Sequence, residues 1–207
     1  MCIVLYIWKE AMPEDVHIKQ LLHSIALDSD QLAYRELFVL LHQPLRQFAY
    51  SILKSGEEAE ELVSDLFLRI WQKRAELTEI ESPLLYFYAT AKNLAINRLT
   101  KQKRQAALEA KGWLVQLNHT SYDPEQLMMT EEMVNQIRKT IHDLPDRCKL
   151  IYKLVKEDGL KQKEAADLLQ ISVKTIEAQL AIALRRIARC MPMEIRNSIR
   201  TRISLKK

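Results

Sequence analysis

Only three glycines, Gly56, Gly112 and Gly159, occur among 207 residues, against about 7% in an average soluble chain. Neither G-x-x-x-x-G-K nor G-x-G-x-x-G can be assembled from these positions, which excludes a Gly-rich phosphate loop and a dinucleotide turn. A hairpin-rich β fold needs many residues with φ > 0 and is disfavoured for the same reason. Apolar residues recur instead at helical spacing through nearly the whole chain, and they predict an all-α protein.

Over residues 16–53 the apolar positions are Leu21, Leu22 and Ile25, then Leu32, Leu37, Phe38, Leu41, Leu45, Phe48 and Ile52. Asp28-Ser29-Asp30 offers an N-cap to the second run, and Pro44 is expected to kink or restart it. Ser55-Gly56 reads as a stop. A helix over about 57–76 follows, with Glu57, Glu58, Glu60 and Glu61 near its start, where the helix dipole favours negative charge. Its stripe is Leu62, Leu66 and Ile70, with Val63, Phe67 and Trp71 alongside. Ser82-Pro83 opens the next helix, which carries Leu84, Phe87, Tyr88, Ala91, Leu94 and Ala95 and ends in Arg98, Lys101, Lys103 and Arg104.

Over 105–126 the pattern breaks at Gly112, Asn118-His119-Thr120-Ser121 and Asp123-Pro124, the composition of a linker. A second set of helices then carries Met133, Ile137, Ile141 and Leu144; restarts at Pro145 with Leu150, Ile151, Leu154 and Val155; and stops at Gly159, a natural C′ residue. Residues 160–169, the turn Gln170-Ile171-Ser172 and a last helix from 173 to about 191 complete it, with Val173, Ile176, Leu180, Ala183, Leu184 and Ile187 expected inward. The organisation read from this is an extension (1–12), a helical domain (13–105), a linker (106–127), a second helical domain (128–192) and a basic tail (193–207).

Thirty-one Lys+Arg face 27 Asp+Glu, a net charge of +4. Attraction to a polyanion therefore has to come from local clustering. Cys2, Cys148 and Cys190 are odd in number and lack C-x-x-C spacing, so neither a disulfide framework nor a zinc site is indicated, and reduced cytosol is the simple reading. The five histidines lack ligand spacing; no metal or cofactor is expected. The apolar run from Cys2 to Trp8 has no cationic n-region or small-residue cleavage site and is too short to span a bilayer. It reads as a disordered start, or as sequence upstream of true initiation at Met12.

Three constellations carry chemistry. In residues 160–189 a short turn joins two helices, Ala165 and Ala166 supply the small contact that a steep crossing needs, and Ser172 can cap the second helix. Its outward residues Lys174, Thr175, Glu177, Ala178 and Ala181 could then face base edges in a major groove, or form the solvated side of a plain helical corner. Lys92, Asn93, Asn97, Arg98, Lys101, Lys103 and Arg104 gather phosphate-binding cations and base-reading amides near the end of an aromatic-rich helix. The same residues suit a solvated helix C-terminus, and Tyr86, Phe87 and Tyr88 suit either base stacking or a core. Third, the helix at 57–76 turns a mixed face of Glu61, Asp65, Arg69, Gln72 and Lys73 outward, which is ordinarily a solvated surface.

These blocks, in this order, resemble the RNA polymerase sigma factors of the extracytoplasmic-function type. The likeness is carried by Ala59-Glu-Glu-Leu-Val-Ser-Asp-Leu-Phe-Leu-Arg-Ile-Trp71, by Tyr86-Phe-Tyr-Ala-Thr-Ala-Lys-Asn-Leu-Ala-Ile-Asn-Arg-Leu99, by Leu144-Pro-Asp-Arg147, and by Gly159-Leu with Ile171-Ser-Val-Lys-Thr-Ile176. The resemblance implies that Glu61, Ser64, Asp65, Arg69, Trp71 and Gln72 bind core RNA polymerase. It implies that Lys92, Asn93, Asn97, Arg98, Lys101, Lys103 and Arg104 melt and read the minus-ten element of promoter DNA. It gives Ser172, Lys174, Thr175, Glu177, Ala178, Ala181 and Arg185 the minus-thirty-five element. It also implies an anti-sigma partner, no small-molecule substrate and no catalytic residue.

Four departures stand out. Ser64 replaces a frequent Gln, and Lys161 replaces a capping Ser or Thr. Gln170 replaces a turn Gly, at a strain of about 1 kcal/mol if its backbone is left-handed. Glu177, Ala178, Ala181 and Ile182 replace an Arg-rich face. Two other classes fit less well. A response-regulator-type activator needs a domain of alternating strands and helices, which residues 1–100 do not spell. A helical hydrolase or transferase needs a nucleophile–base pair, paired carboxylates or metal spacing, which are missing.

Overall fold

The computed structural model describes residues 15–109 and 131–190, with side chains for 15–102 and 136–190. The expectations for residues 1–12, for most of the linker and for the basic tail lie outside the described residues. Every regular element among the described residues is helical: α1 (Asp15–Asp28), α2 (Gln31–Leu53), α3 (Gly56–Gln72), a 3-10 turn (Arg74–Glu79) and α4 (Pro83–Glu109) in one compact unit, then α5 (Glu131–His142), α6 (Asp146–Tyr152), a π turn (Lys153–Glu157), α7 (Gln162–Leu169) and α8 (Val173–Arg189) in another.

In the first unit the apolar stripes converge on one core: Ile18, Leu22 and Ile25 from α1; Leu37, Leu41, Leu45 and Phe48 from α2; Leu62, Leu66 and Ile70 from α3; Phe87, Tyr88 and Ala91 from α4. Edge-to-face rings lock the helices laterally, Phe38 on Phe67 at 4.8 Å and Phe48 on Tyr88 at 5.0 Å between centroids. Asp30 caps α2 by accepting from Leu32 N and Ala33 N. Leu32 itself, expected in the stripe, points to solvent.

Four local expectations change. Pro44 does not restart α2, which is continuous from Gln31 to Leu53; buried Leu37 and Leu41 before it and Leu45 and Phe48 after it hold both halves on one core. The stop falls one residue earlier than Ser55: Lys54 takes the left-handed conformation (φ 62°), while Ser55 accepts from Glu58 N and Gly56 begins α3. α3 ends at Gln72 because Arg74 donates to the Trp71 carbonyl and to Ser29 Oγ, tightening the next residues into a 3-10 turn that buries Leu77. α4 continues past 105 to Glu109.

In the second unit Ile137, Leu144, Cys148, Tyr152, Ala183 and Ile187 form one buried cluster, and Ile151, Ala165, Ala166, Ile176 and Leu180 another. Leu169 and Ile171 close the corner between α7 and α8, as the spacing predicts. Val173 and Leu184 were expected inward but are 39% and 44% exposed. The buried stripe of α8 is the narrower Ile176–Leu180–Ala183–Ile187 line, and these two residues flank it. The helix opened after Pro145 widens at Lys153–Glu157, where Asp158 N donates to Lys153 O at 2.8 Å. Gly159 follows with φ 87°, a conformation open to glycine.

Candidate functional site

On α3 the residues opposite the core stripe are Glu61, Ser64, Asp65, Leu68, Arg69 and Gln72, all exposed. Leu68 is 58% exposed in the middle of this charged face; the sequence signal for it is its i+3 spacing from Asp65 and i+4 spacing to Gln72. Ser64 Oγ folds back onto Glu60 O at 3.1 Å. Trp71 sits at the rim, half-buried, with its ring 5.0 Å from that of Tyr34 and the Arg74 guanidinium 5.0 Å from its centroid. Tyr34 donates to Phe67 O at 2.9 Å, and burial pushes its phenol upward.

On α4 the expected DNA set divides. Asn93, Asn97 and Lys101 are exposed, Lys92 is half-buried, and the side chains of Lys103 and Arg104 lie outside the described ones. Arg98 instead engages α3: it donates to Asp65 Oδ2 at 2.5 Å, to Glu61 Oε2 at 3.1 Å and to Glu58 O at 3.2 Å. Of the aromatic run, Phe87 and Tyr88 are core and Tyr86 stays half-accessible.

In the second unit α7 and α8 form the helix pair. Ser172 Oγ accepts from Thr175 N at 3.1 Å and caps α8. Lys174, Glu177, Ala178, Ala181 and Arg185 lie along one exposed stripe, with Thr175 half-buried at its edge. Gln170 adopts the left-handed conformation (φ 55°, ψ 47°) between the helices. Lys161 supplies no cap oxygen; Glu164 instead accepts from Lys161 N at 2.9 Å, so one side of a capping box serves the start of α7.

Residues 37–105 match the family described as Sigma-70 region 2, and residues 135–187 match Sigma-70, region 4. The chain is 25% identical over 158 residues to the ECF RNA polymerase sigma factor SigW of Bacillus subtilis (strain 168), covering 73% of this chain and 84% of that one. It is 25% identical over 162 residues to the ECF RNA polymerase sigma-E factor of Escherichia coli (strain K12), covering 73% of this chain and 82% of that one. The chain belongs to the sigma-70 family, in its extracytoplasmic-function group. This sigma factor directs transcription. Its fold is also that of the sigma factor RpoE solved in complex with the anti-sigma factor NepR from Bartonella quintana, with a TM-score of 0.51 at 18% identity over 76% of this chain and 95% of that one. The activator alternative is set aside, since the region 2 match lies where that reading needs alternating strands and helices. No described helix is long and apolar enough to cross a membrane.

Proposed function

We propose that the two units divide promoter recognition, with boundaries near 13–105 and 128–192 and residues 106–127 as the tether. The outer face of α3 (Glu61, Ser64, Asp65, Leu68, Arg69 and Gln72, with Trp71 at its rim) docks core RNA polymerase. Asn93, Asn97 and Lys101 on α4, joined by Lys92, Lys103 and Arg104, capture the opened minus-ten strand. Lys174, Glu177, Ala178, Ala181 and Arg185 on α8, behind the Ser172 cap and Thr175, enter the groove of the minus-thirty-five element. The factor works in the cytoplasm, performs no catalytic step of its own, and is restrained by an anti-sigma partner as is common in the family.

The observation that carries this reading is the amide pair on α4. Asn93 and Asn97 stand one turn apart and exposed, off the line of the helix's buried residues Ala91, Leu94 and Ala95. Each amide can donate and accept on a base edge, and an unpaired base held there offsets the few kcal/mol that unstacking costs. Two modest DNA contacts borne on one polymerase gain affinity through effective concentration. Asn93→Ala with Asn97→Ala is expected to abolish permanganate reactivity of minus-ten thymines while co-elution with core polymerase persists. Normal opening by the double variant contradicts the assignment.

A further inference from the structure

One guanidinium joins the outer face of α3 to α4. Arg98 reaches Asp65, Glu61 and the Glu58 carbonyl, and one turn on Gln102 Nε2 donates to Glu58 Oε1 at 2.6 Å. The Arg98 side chain is 25% exposed, whereas those of Glu61 and Asp65 are 64% and 53% exposed. The cation is therefore tucked in and the carboxylates remain presented. Helical register explains the placement: Arg98 follows Ala91 by seven, Leu94 by four and Ala95 by three, and all three are buried. Asn93 and Asn97 are exposed about 140° and 100° round the same helix from it.

Glu61 and Asp65 are four residues apart on α3, where like charges repel and long side chains sample several rotamers. A planar fork of donors that keeps its charge removes the repulsion and fixes both carboxylates at once. Resting on the reading that this face docks polymerase, we propose that Arg98 is a positioning residue of the polymerase-docking face and not a DNA contact. It holds Glu61 and Asp65 in the geometry that cations of core polymerase meet. It also ties that face to the helix bearing Asn93 and Asn97.

The test uses the full chain and purified core polymerase, with Arg98→Gln, Arg98→Lys, Asp65→Asn and the pair Arg98→Gln/Asp65→Asn. Arg98→Gln is expected to weaken core binding about tenfold, the size of one lost charge-assisted contact. Arg98→Lys recovers part of this, since an ammonium keeps the charge but lacks the fork. The paired variant loses less than the sum of the two single losses, because both changes break contacts of one unit while Glu61 still depends on Arg98. With polymerase saturated, Arg98→Gln holoenzyme binds a fork-junction minus-ten DNA probe within about twofold of wild type, as contacts made elsewhere are untouched. Unchanged core affinity, additive losses in the paired variant, or loss of fork binding at saturation overturns the proposal. Asp65→Lys separates it from the docking reading. If Asp65→Lys still co-elutes with core, the docking reading and this proposal both fail; if it does not, while Arg98→Gln binds normally, only the positioning role fails. Thermal melting of each variant accompanies the binding, and should Arg98→Gln not fold, Arg98→Lys decides: weakened core binding with intact fork binding supports the role, and the reverse overturns it.

Discussion

The Lys153 ammonium lies 3.0 Å from Asp158 Oδ1, inside the π turn that delivers the chain to the α7–α8 pair. Glu157 Oε2 is farther from it, at 3.5 Å. Burial works to lower the Lys153 ammonium, but the Asp158 and Glu157 carboxylates outweigh it and hold the amine above its usual range. Asp158 takes the closer place, so burial dominates at Glu157 and pushes its carboxyl up to about 7.

A pH dependence follows with a definite sign. A carboxyl whose folded pKa exceeds its unfolded one binds more protons when folded, so stability falls as pH rises between about 4.5 and 7. The second unit is expected to open more easily at pH 8 than at pH 5 by roughly 2 kcal/mol. Amide hydrogen exchange over 160–169, corrected for its intrinsic pH dependence, measures this. Glu157→Gln should flatten the profile, and a wild-type profile already flat contradicts the assignment.

Gln170 holds a left-handed backbone that glycine adopts freely. Gln170→Gly is expected to stabilise the second unit by about 1 kcal/mol, read by the same exchange measurement. Loss of stability would mean that the exposed Gln170 side chain does more at this turn than its geometry indicates.

The α7–α8 crossing depends on two methyl-sized residues with almost no exposed surface, Ala165 (0%) and Ala166 (2%). Ala166→Leu overpacks the corner at a cost of about 1–3 kcal/mol and should weaken binding of the upstream promoter element while sparing core binding. Equal loss of both in co-elution and DNA-binding measurements would contradict the separation of tasks.

Glu177 stands in the middle of the exposed stripe of α8, where Ala178 and Ala181 leave it room. A carboxylate accepts from cytosine N4, whereas an amide pairs with adenine, with discrimination of about 1–3 kcal/mol. Glu177→Gln should change the base chosen at one upstream position in a selection from randomised duplexes. An unchanged selected sequence would remove Glu177 from the reading face.

The helices were legible in the sequence wherever a stripe was wide and capped, as with Asp30 before α2 or Ser172 before α8. What could not be read follows from tertiary effects. Pro44 is tolerated because packing on both sides outweighs one lost backbone bond, and the π turn exists where a buried ion cluster closes it. Lys54 ends α2 although nothing in its side chain favours φ > 0. At the candidate site, composition grouped Arg98 with its cationic neighbours, whereas its register with Ala91, Leu94 and Ala95 already pointed it toward α3. Leu68 was hidden for the opposite reason, as an apolar residue on a face recognised by its charges.

Run-off transcription with purified core polymerase on a library of random promoters tests the central claim most directly. Two helical units gripping separate stretches of one promoter predict starts that depend on the added chain, each preceded by two shared sequence blocks at near-constant spacing. Absence of any chain-dependent start, or starts preceded by a single block, would contradict it.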